Sequence, residues 1–399
     1  MDFIVVFFVL LLLYVVQRNA LSDRFLSIGI GYLDLLLIIH IALFITYITY
    51  AYLTDSDSFN YYEVASTTDS WFELWGQQTE FIRFITWPFA NFLGLSYASV
   101  MMIFSYLGFQ GVILCYLVAK ENLPPLMGKS GRYTILEYVF LLPNLHFWSN
   151  SIGKGSVMLL GVGLLIFGMS RFHKRVLYIV FGAFLMFYVR PHILYAFLLG
   201  TAVGILFSSK GLSRIAKLSF LALSLVFLYF IADDVSVLTG TDSLNVFDSN
   251  PLAHRNEELS KSTSGIETGN NQFIKLFTFW YRPLFFDAPG ILGIIVSFEN
   301  AVILYFTIQM LRTGLSSWKS MNTFYRIILF SFLFGSVALA QVGGNLGIIM
   351  RQKSQIMPLF FIVYSFTVYM KSQRPNNGRS YTSPGYFKKN TTILSPLNR

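Results

Sequence analysis

The sequence predicts an all-α, polytopic membrane protein with about eleven transmembrane helices in a single domain. Three observations predict it. Hydrophobic residues make up 55% of the 399 and charged residues only 12%, against about 25% charged in soluble domains. Apolar runs long enough to cross a bilayer recur along the chain as far as residue 370. The connections between them alternate in charge, as expected when basic loops are retained in the cytoplasm.

The first run, MDFIVVFFVLLLLYVV, follows Asp2 rather than a basic stretch, and no small-x-small cleavage site comes after it. It reads as a retained helix at 3–17, not a cleaved leader. A second span is expected at 28–53, and the next at 95–118, 133–149, 156–170, 176–189, 192–208 and 218–232. The last three are expected at 290–311, 327–347 and 354–370. Between the second and third spans, residues 54–94 form a long external loop. Its second half alternates aromatic and polar residues, which suits a short amphipathic or re-entrant helix at the interface. A second external loop at 233–289 opens rich in Ser, Asn and Asp and turns aromatic at FTFWYRPLFFDAPG, so it is expected to return to the membrane. Residues 1–371 thus form one membrane domain, and 372–399, with Pro, Asn, Gly, Ser and Lys, read as a disordered basic cytoplasmic tail. No internal repeat of fixed period is apparent.

Orientation follows from Lys and Arg. Every second connection is basic: Arg18 and Arg24; Lys120, Lys129 and Arg132; Arg171, Lys174 and Arg175; Lys210, Arg214 and Lys217; Arg312, Lys319 and Arg326. With the tail, twenty of the 29 basic residues fall on one side, which places the N-terminus outside and the C-terminus in the cytoplasm. Of the 20 acidic residues, fifteen fall on the other side, and Asp34, Glu137 and Glu299 fall inside spans, where a charge must be paired or face a cavity.

The net charge of +9 would suggest nucleic acid in a soluble protein. Sorted by membrane side it does not, and no nucleic-acid partner is expected. The single cysteine, Cys115, lies in an apolar run, which excludes disulfides and thiolate metal sites within the chain. Forty-one Phe and 23 Tyr suit lipid-facing helices and interfacial belts. No HExxH, Walker loop, GxGxxG after a strand or GxSxG is present, so no metal, nucleotide or other cofactor is expected.

Nine basic residues defy the charge alternation. Arg255, Lys261 and Lys275 sit in the polar loop among acids, where solvated salt bridges explain them. The other six lie at external helix ends or in aromatic segments: Arg83, Lys154, Arg190, Arg282, Arg351 and Lys353. Guanidinium groups grip phosphate bidentately and lysine adds a point charge. Pyrophosphate at headgroup depth is therefore the ligand that would use all six, with His192 beside Arg190. Proline after Arg190 and Arg282 bends the chain there and disfavours helix at the arginine. At the same depth lie Asp55, Asp57 and His146, any of which could take a proton from a sugar hydroxyl. Trp148 and Trp280 offer faces for sugar stacking.

The segments SDSFNYY, PNLHFWSNSIGKGSVMLLGVGLLIFG, FYVRPHI, FWYRPLFFDA and GNLGIIMRQKSQIMPLFF resemble bacterial polysaccharide polymerases of the Wzy and EpsG-like group. With the topology, the resemblance covers most of residues 30–370. It implies a GT-C-like membrane glycosyltransferase of O-antigen, capsule or exopolysaccharide biosynthesis in the bacterial cytoplasmic (inner) membrane. Such an enzyme transfers a growing glycan from a polyprenyl-pyrophosphate carrier to a lipid-linked repeat unit on the outer face. Arg190, Arg282 and Arg351 would then hold the departing pyrophosphate, with Lys154 and Lys353 assisting and no metal required. Membrane lipids, the lipid-linked oligosaccharide, and a chain-length regulator or flippase are the partners implied. A lipid-linked glycan ligase would use the same donor. A lipid or oligosaccharide transporter fits less well, because transporters place their binding groups near the midplane and often show repeats.

Overall fold

The computed structural model describes residues 1–24, 30–54, 56–122, 135–208, 213–226 except 216, 220 and 223, 259–261, 264–266, 271–288, 290–341 and 343–372. Among them the regular structure is helical throughout, apart from one antiparallel bridge between Gly265 and Asn345. Five stretches are long and apolar enough to cross a membrane: Asp2–Leu21, Ile30–Leu53, Tyr97–Asn122, Gly290–Thr313 and Thr323–Ala340. They belong to helices α1 (Asp2–Arg24), α2 (Ile30–Leu53), α5 (Tyr97–Asn122), α12 (Gly290–Ser317) and α13 (Thr323–Ala340). The helices α8 (Lys154–Ser170), α9 (Val176–Val189) and α10 (Pro191–Leu206) are apolar but shorter. The last helix, α14 (Leu346–Ser372), contains the expected 354–370 span but begins with the polar run RQKSQ one turn in.

One expected span is differently built. In place of a helix over 133–149 there are two short helices, α6 (Ile135–Val139) and α7 (Pro143–Phe147). Pro143 has no N–H to donate and forces Leu142 into extended backbone (ψ 129°), so the helix stops and restarts. The expected 218–232 span runs beyond the described residues, as do most of the 233–289 loop and the tail. The first external loop carries more structure than one interfacial helix. It holds α3 (Asp57–Thr67), a 3-10 turn at Trp71–Leu74, α4 (Thr79–Trp87) and a π-helical turn at Pro88–Phe92. Two of its tryptophans pack within it: Trp71 stacks on Phe84 and Trp87 at 4.8 and 5.8 Å. Their indole N–H groups donate to Phe84 O and Thr68 O. Helix α11 (Gln272–Tyr281) brings the second loop back, capped by Asn271.

The bundle is drawn together by small residues. A Cβ on Gly111 of α5 would sit 2.6 Å from the Leu159 backbone of α8, and one on Gly200 of α10 would sit 2.4 Å from Ser331 of α13. Backbones this close are how helices associate where burial from water supplies no drive. The inner half of α14 forms the core, with Ile356, Met357, Leu359, Phe361 and Ile362 fully buried, whereas α1 turns Ile4, Phe8, Leu12 and Val16 outward.

Charges collect at two opposite ends. At one, Arg18 pairs with Asp34 (3.1 Å), Lys120 with Glu137 (2.8 Å), and Arg175 grips Glu121 through two bonds of 2.7 and 2.8 Å. Two of the three intrahelical acids are thus paired with the basic connections of that end. At the other, Asp2 accepts from Ser96 N and Ser99 Oγ at the start of α5, where an anion complements the helix dipole.

Candidate functional site

Asp57 stands in the first turn of α3, whose N-cap, Ser56, accepts from Ser58 N. Arg351, in the second turn of α14, reaches across to it with Nη1 2.9 Å from Asp57 Oδ2. Arg190 occupies the break between α9 and α10, where Pro191 takes the first helical position of α10. Its side chain is buried. With the Gln352 amide turned so that its nitrogen donates to Leu339 O, the amide oxygen accepts from Arg190 Nη1 at 3.1 Å. Gln352 adjoins Arg351, so residues far apart in sequence bring two guanidinium groups to one place. Tyr61, one turn after Asp57, interacts with Asp57, Arg351 and Arg190. Burial first, and the Asp57 carboxylate second, push its phenol above the usual value, so it stays a donor.

The floor is the turn between α7 and α8. Ser151 and Ser56 lie beside the Tyr47 hydroxyl of α2, which is also within electrostatic reach of Arg351. The Tyr61 ring lies over Gly153, where a Cβ would be 3.6 Å away. Lys154 opens α8 and donates to Gln78 Oε1 at 3.4 Å. Gln78 holds φ +56°, rare outside glycine, while its N–H bonds Tyr188 O at 2.6 Å, two residues before Arg190. Trp148 is half-buried with its ring 6.1 Å from Tyr47, one ring away from the cluster.

The expected set therefore divides. Arg190, Arg351 and Asp57 come together, and Lys154 and Trp148 adjoin them through Gln78 and Tyr47. His192 is half-buried in the first turn of α10. Asp55 lies outside the described residues. Arg83 instead ties α4 to α3, bonding Glu80 at 2.6 Å and Asn60 at 2.7 Å. Arg282 pairs with Asp287 inside its own turn, and no described contact joins it to Arg190 or Arg351. Lys353 is two residues from Arg351 and so points away from it around the helix. It is fully buried and donates to Asn300 Oδ1 and Trp280 O.

Two further expectations are corrected. Trp280 is packed against Phe332 and Phe360 at 4.7 and 5.8 Å and is 6% exposed, so it has no face for a sugar. His146 is fully buried with both ring nitrogens engaged, by His40 Nδ1 at 3.0 Å and Phe140 O at 2.8 Å, which leaves neither for a substrate hydroxyl. Tyr47, Tyr61, Gln78, Ser151 and Gln352 were not singled out by sequence, where nothing distinguishes them from other interfacial polar residues. Among the described residues no group of three His, Cys, Asp or Glu could hold a metal ion.

Fold and charge distribution define the class as an α-helical membrane protein. No protein-family model, curated protein or solved structure matches the chain.

Proposed function

We propose that this protein is a bacterial polysaccharide polymerase of about eleven spans and GT-C-like architecture. It would move a growing glycan from a polyprenyl-pyrophosphate carrier to a lipid-linked repeat unit at the outer face of the cytoplasmic membrane. The observation that carries the reading is the meeting of Arg351 and Arg190 beside Asp57 and Tyr61 at one end of the bundle. Cations from the α9–α10 break and from α14 suit a pyrophosphate at headgroup depth, and an adjoining carboxylate suits a proton acceptor.

In the step, the acceptor hydroxyl oxygen bonds to the donor's anomeric carbon as the bond from that carbon to the pyrophosphate oxygen breaks. The electron pair leaves with the pyrophosphate, whose charge Arg190, Arg351 and the nearby Lys154 neutralise. The hydroxyl proton passes to Asp57. An arriving pyrophosphate competes with Asp57 for Arg351, so substrate binding itself frees the carboxylate to act as base. Tyr61 donates to either anion.

The test is the purified protein in lipid with a pyrophosphate-linked repeat unit, with and without chelator. Elongation without added nucleotide or metal is expected, and it is lost in Asp57→Asn. Normal elongation by both Arg190→Ala and Arg351→Ala at wild-type abundance would overturn the proposal, and transfer that stops after one addition would point to a ligase.

A further inference from the structure

His40 of α2 and His146 of α7 approach through their Nδ1 atoms at 3.0 Å, both rings buried. Their protons can be counted from their partners. His146 Nε2 lies 2.8 Å from Phe140 O, and a carbonyl only accepts, so that nitrogen carries hydrogen. His40 Nε2 lies 3.0 Å from Ser105 O and carries hydrogen for the same reason.

The alternative, in which His40 Nε2 accepts from the Ser105 hydroxyl at 3.2 Å, is closed by Asn150. Its Nδ2 donates to His146 O at 2.8 Å and His40 O at 3.3 Å, which turns its Oδ1 toward Ser105 Oγ at 2.6 Å. An amide oxygen only accepts, so the one hydroxyl hydrogen of Ser105 is committed there. Turning either ring over would replace a carbonyl bond with a C–H. In two neutral rings both Nδ1 atoms would then be bare, with lone pairs facing at 3.0 Å.

We infer that His40 and His146 bind one extra proton between their Nδ1 atoms, forming an imidazole–imidazolium pair of net charge +1 inside the bundle. The bond is charge-assisted, and each Nε2–H leads the charge into a carbonyl dipole. Among the described residues no carboxylate contacts either ring. The titratable groups beside His40 are Tyr14 and Tyr106, which line the same groove between α1, α2 and α5. Tyr14 is already bonded to Asp34 at 2.7 Å. The pair clamps α7 to α2 and α5 next to the turn that carries Ser151 and Lys154, so a buried positive charge underlies that part of the candidate site. The inference does not depend on the polymerase reading.

Nitrogen-15 NMR of histidine-labelled protein in lipid bilayers at pH 8.5 counts the protons. The five histidines have ten ring nitrogens. Free imidazoles are neutral at that pH, about two units above their usual value, so a wild-type ratio of protonated to bare nitrogens of six to four is expected. Five to five would overturn the inference. The variant H173Q/H192Q/H254Q leaves the pair alone and is expected to show three to one, with two to two overturning it. In His146→Gln the excess proton is expected to vanish, which distinguishes the pair from a charged histidine elsewhere.

Discussion

The Arg351–Asp57 pair offers a separation of chemistry from stability. The two side chains are 32% and 58% exposed. An ion pair so open to solvent contributes about 0.2–1 kcal/mol. Asp57→Asn, Arg351→Ala and the double variant are therefore each expected to unfold within about 1 kcal/mol of wild type, with a coupling energy inside the same range. A base that accepts the hydroxyl proton contributes about 10²–10⁴ in rate, so Asp57→Asn is expected to lower elongation by that factor. Arg351→Lys keeps the charge but loses the fork and is expected to fall between Arg351→Ala and wild type. The assay pairs denaturation of the protein in lipid with single-turnover elongation of a pyrophosphate-linked repeat unit. A stability loss of about 3 kcal/mol or more with unchanged rate in the surviving fold would refute the argument, because the pair would then be a structural clasp.

Other expectations concern the frame. Glu121 is 2% exposed and holds Arg175, itself 12% exposed, through two bonds, so Glu121→Ala leaves a buried charge and is expected to cost about 3–5 kcal/mol in a denaturation measurement. Gly111→Ala drives a methyl to 2.6 Å from the Leu159 backbone and is expected to cost about 1–3 kcal/mol by overpacking, measured the same way. A reporter fused after Lys371 is expected to be active only in the cytoplasm, and activity only outside it would reverse the orientation read from Lys and Arg.

Apolar runs and alternating loop charge made the helical membrane class legible without coordinates, since lipid demands internally bonded backbone and basic loops resist translocation. The grouping of charges at two ends was legible for the same reason: Arg18, Lys120 and Arg175 lie at one end, Asp2 and Asp57 at the other. Hydropathy could not reveal that 135–147 is two short helices, because a buried broken segment and a spanning helix are equally apolar, and only Pro143 hinted at the break. The fate of each cation was decided by tertiary structure alone. Arg351 and Lys353 look equivalent in the sequence, yet helical rotation turns one to Asp57 and the other into the core. Arg190 and Arg282 both precede proline, yet Asp287 holds Arg282 in its own turn while Gln352 draws Arg190 toward Arg351. His146 became one half of a buried pair only because α7 meets His40 of α2. Composition and period report which residues enter the membrane, whereas partners separated by a hundred residues or more are chosen by helix rotation and packing, which no local pattern encodes.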